Sequence, residues 1–421
     1  MNYIPRISDK NLQKYLKSFG AILIEGPKWC GKTSSGKQYS ESVFDIADPS
    51  NNFQNRTLAE TSIESILPGS SPRLIDEWQE VPQVWDAVKH DVDAKGKKGM
   101  YILTGSSTPR DDSTIHSGAG RIGRIKMSTM TLSELGISNG SASIGALLGS
   151  KASFKTAGST LTLNDILSIL CKGGWPELIK TNLDTSRTVV SEYINTITNE
   201  DVSRIDKVSR DPSKMRKLLQ SLARNTASLV SKETLRKDID SGDNIISPNT
   251  LEDYLNVLRR IFIVEEIPAW YPALKSTVRL RTAPKRILSD PSLAVAALKA
   301  SPASLMNDLK LTGNIFENLV LHDLLVYAQA NNAKIFHYND NTDLEIDAII
   351  EGDDMKWGAF EIKLSQAKEE EGASSLKQLA TKFDLEKQKK PEFLAVITGI
   401  GGILHQRADG VWVIPIEFLG A

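Results

Sequence analysis

One short stretch, Gly26-Pro27-Lys28-Trp29-Cys30-Gly31-Lys32-Thr33, constrains this chain more than any other. It follows G-x-x-x-x-G-K-[ST] in full, and its context fits. An apolar run, Ala21-Ile22-Leu23-Ile24-Glu25, reads as a buried strand before it, and a helical pattern runs from Lys32 towards Ser40 after it. The chemistry explains the spacing. Glycines let successive backbone N–H groups turn inward as a nest for phosphate oxygens, and a following helix adds a partial positive charge. Lys32 is expected to reach the β- and γ-phosphates of ATP, and Thr33 to place its hydroxyl on Mg²⁺. The whole run Gly26, Pro27, Lys28, Trp29, Cys30, Gly31, Lys32, Thr33 and Ser34 is expected to line the nucleotide. Cys30, beside the amides of Gly31 and Lys32, is expected to carry a reactive thiol.

A phosphate loop needs an acidic partner, and Leu74-Ile75-Asp76-Glu77 supplies one at the end of a short apolar run. Asp76 is expected in the Mg²⁺ shell and Glu77 on the attacking water. Leu103-Thr104-Gly105-Ser106-Ser107 ends another strand. Ser106 is read either as a hydroxyl near the water and γ-phosphate or as a polar turn. The loop Gly118-Ala119-Gly120-Arg121-Ile122-Gly123-Arg124 offers Arg121 and Arg124, either as stabilisers of transition-state charge, in cis or across a subunit contact, or as solvated arginines.

Short strands alternating with helices in the first third predict a parallel sheet covered on both faces. Further strands are expected at Phe44-Asp45-Ile46, Arg73–Asp76 and Tyr101–Thr104, and a helix over Asn11–Lys17. The Gly-, Ser- and Ala-rich segment 136–160 reads as a linker or surface excursion. A mostly helical middle follows, with Ser247-Pro248 starting one helix. The last quarter returns to mixed α/β. The chain as a whole reads as α/β and multidomain: a phosphate-loop domain over 1–150, a helical and winged-helix-like region over 151–280, and an α/β domain over 281–421.

The middle carries a local charge excess. Between Asp201 and Lys237 stand ten Lys/Arg against four Asp/Glu. With a helix, a short helix, a Pro-started helix and a strand, this resembles a winged helix-turn-helix, which serves either DNA contact or interdomain spacing. Glu252 and Asp253 on the would-be recognition helix oppose phosphate. Near the C-terminus, period-two alternation places Glu361 and Lys363 on one strand face, with Asp347 on a neighbouring strand and Glu317 on a preceding helix. Carboxylates in this order can hold a divalent cation for phosphodiester hydrolysis, with Lys363 steadying charge. They can equally form a salt-bridged strand face.

This order of motifs resembles the bacterial and archaeal AAA-domain ATPases that carry an uncharacterised C-terminal domain. The likeness rests on Gly26–Thr33, Leu74–Glu77, Leu103–Ser107 and the loop 118–124. It extends to Gly173-Gly174-Trp175-Pro176-Glu177 and Gly313-Asn314-Ile315-Phe316-Glu317. What it implies is a P-loop AAA-type ATPase core, a winged-helix-like middle and a C-terminal fold similar to restriction endonucleases.

Composition bounds the alternatives. Lys+Arg number 51 and Asp+Glu 52, which excludes a uniformly basic nucleic-acid coat. Two cysteines exclude a disulfide framework and fit a reducing cytoplasm. The five histidines, His116 among them, show no ligand spacing. No apolar run approaches the roughly 20 residues that span a bilayer, so no membrane partner is expected. The leading expectation is a cytoplasmic, Mg²⁺-dependent ATPase acting on DNA, with a homo-oligomer as a possible assembly. The rivals are a metal-dependent nuclease gated by ATP and a non-enzymatic nucleotide-binding interaction protein.

Overall fold

The structure, a computed structural model, describes residues 3–108, 117–149, 152–204, 208–240, 246–272, 282–385 and 389–421. His116, Asp206 and Lys207 lie outside the described residues. The chain divides into two compact units: Met1–Thr129 with Glu200–Arg210 and Asn256–Ile263, and Met130–Asn199 with Asp211–Leu255 and Val264–Ala421.

The first unit is built on five strands: β1 (Ala21–Glu25), β2 (Ser42–Asp45), β3 (Arg73–Asp76), β4 (Tyr101–Gly105) and β5 (Ile122–Lys126). They form one sheet in the order β2-β3-β4-β1-β5, and every pairing is parallel. Both faces are buried, as a parallel sheet requires. Successive residues divide between two cores. Ala21, Leu23, Ile75, Tyr101 and Leu103 pack with Trp85, Val88 and Val92 of helix α3 (Val84–Lys95). Ile22, Ile24, Leu74 and Ile102 pack on the other side with Leu12 of helix α1 (Asp9–Ser18). Helix α2 (Lys32–Gln38) follows the phosphate loop directly. β1 and β3 thus lie on either side of β4, and the loops leaving their C-terminal ends converge there.

The second unit carries a mixed seven-stranded sheet. Its strands are β6 (Ala157–Gly158), β9 (Lys334–Asn339), β10 (Glu345–Glu351), β11 (Trp357–Ser365), β12 (Phe393–Ile400), β13 (Ile403–Gln406) and β14 (Trp412–Pro415). The order is β9-β10-β11-β12-β14-β13-β6. Its helical part includes α4 (Pro212–Arg224), α5 (Lys232–Ile239) and the start of α6 (Pro248–Arg260), which passes into the first unit from Asn256; the antiparallel pair β7 (Val264–Ile267) and β8 (Lys285–Leu288) belongs to the second unit again. Helix α7 (Leu309–Ala330) brings Glu317 towards the sheet's acidic strands.

The segment 136–160 is not a linker. Gly158 pairs with Ile403 and Ala157 with Leu404, so it supplies the edge strand β6. Ser138 Oγ donates to Leu419 O at 2.6 Å, and the hydroxyls of Ser159 and Thr160 both donate to Glu417 at 2.8 Å. Small polar residues here donate to Glu417 and Leu419 of the same unit. The apolar run Ile261-Phe262-Ile263-Val264, which by sequence reads as the strand after the Pro-started helix, turns the chain over its first three residues, with Phe262 in the left-handed region at φ 59°. The strand begins at Val264.

Candidate functional site: the phosphate loop and its acidic partners

The loop between β1 and α2 has no room for side chains at its first position. A Cβ on Gly26 would sit 2.0 Å from the Met127 carbonyl oxygen. Lys32 is buried, and its ammonium donates to the carbonyls of Gly26 at 3.0 Å and Pro27 at 2.7 Å, across the loop. Arg6, also buried, donates to Cys30 O at 2.6 Å and Ser128 O at 2.8 Å, fixing the loop from outside. Lys28 forms an ion pair with the buried Asp201 at 2.6 Å. Trp29 is half exposed and takes φ 70°. Ser34 lies exposed in the first turn of α2.

The expectation of a reactive thiol at Cys30 fails. Cys30 is fully buried among Ile24, Leu74 and Ile125, and its thiol donates to Met127 O at 3.5 Å. The motif's variable positions need not face phosphate, and this one turned into the core.

Asp76 ends β3 and is buried. Its Oδ1 accepts from Thr33 Oγ1 at 3.0 Å and from Thr104 Oγ1. Burial holds its carboxyl above the ordinary value, while the Thr104 and Thr33 hydroxyls pull it down. Glu77 follows in the left-handed region, φ 56° and ψ 45°. Its N–H donates to Thr104 Oγ1 at 3.3 Å, and its Oε2 accepts from Ser106 Oγ at 3.3 Å and from the Gln79 amide. The structure therefore brings Lys32, Thr33, Asp76, Glu77 and Ser106 together at the C-terminal ends of β1, β3 and β4. Thr104 and Gln79 join them. Thr104 stands in the run Leu103–Ser107 that sequence reading marked for a hydroxyl, two residues before the chosen Ser106, whereas Gln79, two residues after Glu77 in a turn, has no motif.

The two arginines have partners on their own unit. Arg121 pairs with Asp93 at 2.6 Å, and Arg124 pairs with Glu25 at 3.5 Å while its guanidinium lies 5.0 Å above the Trp85 ring. Both side chains are about half exposed.

The C-terminal carboxyls also gather, but around a residue that sequence reading missed. Lys285 on β8 is fully buried, and its ammonium lies 2.7 Å from Glu317, 3.2 Å from Glu345 and 3.6 Å from Asp347. Glu361 pairs with Lys363 at 2.7 Å, and Asp347 Oδ2 accepts from Ile362 N at 2.7 Å. Burial and the neighbouring Asp347 raise the Glu317 carboxyl to about 8 against the pull of Lys285. Glu361 is raised for the same two reasons, against Lys363. Burial lowers the Lys285 ammonium, but Glu317, Asp347 and Glu345 outweigh it and leave it above lysine's ordinary value. Among the described residues no group of three or more His, Cys, Asp or Glu side chains is arranged to hold a metal ion.

The basic middle is largely engaged with its own unit. Lys214 pairs with Asp240 at 3.0 Å, Arg224 with Asp238 at 2.7 Å, Lys232 with Glu252 at 2.6 Å and Arg236 with Glu233 at 2.5 Å. The charge count stopped at Lys237, just short of two of these acids. Lys217 and Lys237 stand exposed. The Gly173–Glu177 motif is a packing node: Gly174 N donates to the buried Asp290 at 2.9 Å and Trp175 Nε1 to Ser292 at 3.0 Å.

Residues 18–136 match the AAA domain family, residues 163–304 the domain of unknown function DUF8612, and residues 312–419 the domain of unknown function DUF4143. Uncharacterised proteins of Mycobacterium tuberculosis and Mycobacterium bovis are each 22% identical over 360 residues, covering 84% of this chain and 72% of theirs. Among solved structures, a Walker-type ATPase of Pyrococcus abyssi aligns with 69% of this chain and 94% of its own at 11% identity and a TM-score of 0.42. A DNA replication initiation factor aligns with 61% of this chain and 92% of its own at 12% identity and a TM-score of 0.25. No helix among the described residues is long and apolar enough to cross a membrane. The parallel sheet, its phosphate loop and the family match over residues 18–136 agree: this part of the chain has an AAA-type ATPase fold, and residues 312–419 match a domain of unknown function.

Proposed function

We propose that this chain is an Mg²⁺-dependent ATPase that uses hydrolysis to change the arrangement of its domains on DNA. The observation that carries the ATPase reading is the hydroxyl-bonded acid at the end of β3. Asp76 is buried, its hydrogen-bond partners are the Thr33 and Thr104 hydroxyls, and Thr33 is the last residue of the phosphate loop. Neutral donors satisfy its lone pairs without cancelling its charge, so the residues present fit a divalent cation. Thr33 and Asp76 would hold Mg²⁺, which supplies charge neutralisation at the transferred phosphoryl group. The loop 26–34 binds the phosphates. Lys32, held on loop carbonyls, brings a buried positive charge to them. Glu77 orients water and accepts its proton, and Ser106 steadies Glu77. Arg121 and Arg124 are candidates for transition-state charge once released from Asp93 and Glu25.

The DNA part rests on the helix-helix-helix-hairpin succession of α4, α5, α6, β7 and β8 and on the exposed Lys217 and Lys237. It is weakened by the pairing of Lys214, Arg224, Lys232 and Arg236 within the unit. For the C-terminal cluster, Lys285 and Lys363 favour a nuclease-like fold whose acids are neutralised by lysines rather than by a catalytic cation. One experiment tests these readings together. ATP turnover is measured with Mg²⁺, alone and with single-stranded or duplex DNA, and the DNA is then run on a gel. Mg²⁺-dependent turnover, stimulated by DNA that remains uncut, is expected. Cut DNA would restore the nuclease, and ATP binding without turnover would leave a nucleotide-binding interaction protein.

A further inference from the structure

Gln79 sits in the short turn Trp78–Glu80, and its side chain reaches back to Glu77. Its amide nitrogen donates to Glu77 Oε2 and, at 3.4 Å, to Ser106 Oγ. Ser106 Oγ in turn donates to the same carboxylate oxygen at 3.3 Å. A carboxylate oxygen only accepts, so the amide must present its NH₂ group there. That choice leaves Gln79 Oε1 facing the other way, buried and with no hydrogen-bond donor among the described residues. It lies against Gly105, where a Cβ would come within 3.0 Å of it.

The effect on Glu77 is selective. Oε2 has two donors, whereas Oε1 accepts no hydrogen bond among the described residues. The backbone of Glu77 is in the left-handed region, a conformation that persists only where the surroundings enforce it. We propose that Gln79 is a positioning residue for hydrolysis: its amide, with Ser106, fixes Oε2 of Glu77 so that Oε1 faces the attacking water as its proton acceptor. The adjacent acid is Asp76, whose Oδ1 accepts from both Thr33 and Thr104.

This inference rests on the ATPase reading, and its test separates the two. Gln79→Met keeps the length of the side chain and removes the amide. In the full chain it is expected to lower kcat for ATP about tenfold while the KM and the Kd for ATP stay within about twofold. The same change in a Glu77→Gln background is expected to lower the residual single-turnover rate by less than about twofold, because the carboxylate it positions is gone. Gln79→Glu, also of the same length, runs through the same cycle if Gln79→Met does not fold. Equal factors in the two backgrounds, or an unchanged kcat in Gln79→Met, overturn the positioning role while the ATPase reading stands. Wild-type protein that binds ATP without hydrolysing it overturns both.

Discussion

Two acidic clusters stand in this molecule, one at strand ends and one shared between a helix and the interior of two strands, and they are satisfied in opposite ways. At the phosphate loop, Asp76 and Glu77 receive hydrogen bonds from Thr33, Thr104, Ser106 and Gln79, all neutral. In the C-terminal sheet, Glu317, Asp347 and Glu361 lie against the ammonium groups of Lys285 and Lys363. Hydroxyls and amides fill lone pairs but leave the charge, so the first cluster still attracts a cation. Ammonium groups fill lone pairs and cancel charge together, so the second needs one less. Shared residue types therefore do not imply shared chemistry. The partners decide it.

The largest effect expected from breaking this contrast is at the first cluster. Glu77→Gln should retain ATP binding and lose about 10²–10⁴-fold in turnover, the usual range for removing a general base. Lys32→Ala should instead abolish measurable nucleotide binding, because the phosphates lose their buried counter-charge. Nucleotide titration and turnover on both variants check this pair, and unchanged hydrolysis by Glu77→Gln would remove Glu77 from the mechanism.

Next comes the lysine at the centre of the second cluster. Lys285→Met leaves Asp347, and Glu317 once it ionises, without their buried cation, which should cost about 3–5 kcal/mol of stability. The variant should also become a metal binder. In an Asp76→Asn background without nucleotide, Mg²⁺ or Mn²⁺ should raise the melting temperature of Lys285→Met and leave that of the lysine-containing protein unchanged. Equal stabilisation of both would show that the cluster takes a cation despite its lysines.

A smaller effect is expected with pH. The Glu317 carboxyl is raised to about 8 by burial and Asp347, against an ordinary value near 4.5. Between those values the folded chain holds a proton that the unfolded chain has lost, so this group's contribution to stability falls as pH rises through the window. Thermal unfolding from pH 4.5 to 8 should show that decline, and Glu317→Gln should flatten it. An identical slope in the variant would assign the decline elsewhere.

The smallest effect concerns thiols. Cys30 and Cys171 are both buried, and burial raises the Cys171 thiol to about 11. Alkylation of the native chain should be slow at both, with or without ATP. Rapid labelling of Cys30, blocked by ATP, would mean that the loop opens far more than its packing against Met127 implies.

Much of the first cluster was legible because its residues are close in sequence or carry a rigid spacing. Gly26–Thr33 and Leu74–Glu77 need only a strand end and a turn to become a site. Gln79, and which hydroxyl of Leu103–Ser107 meets Asp76, were not legible, since a hydroxyl or amide near a strand end has no signature until the neighbouring strand is placed. The C-terminal acids were visible through period-two alternation at Glu361 and Lys363. Lys285 was not, because a lysine in Lys285-Arg286-Ile287-Leu288 reads like any strand-edge charge and its partner Glu317 stands on a separate helix. The Gly- and Ser-rich stretch misled for a related reason: composition marks what a backbone tolerates, and β6 shows that a tolerant backbone can still complete a sheet.

By itself the sequence determined the local chemistry of this protein: a phosphate loop after a buried strand, an acidic strand end to answer it, and alternation that buries both faces of a parallel sheet. These follow from short-range geometry, in which neighbours along the chain are neighbours in space. The tertiary structure alone decided which charges meet. Lys32 turned onto Gly26 and Pro27, Cys30 turned into the core, Lys28 met Asp201, and Lys285 entered the middle of three carboxylates. Electrostatic partnership depends on through-space distance and burial, and neither is encoded in any spacing along the chain.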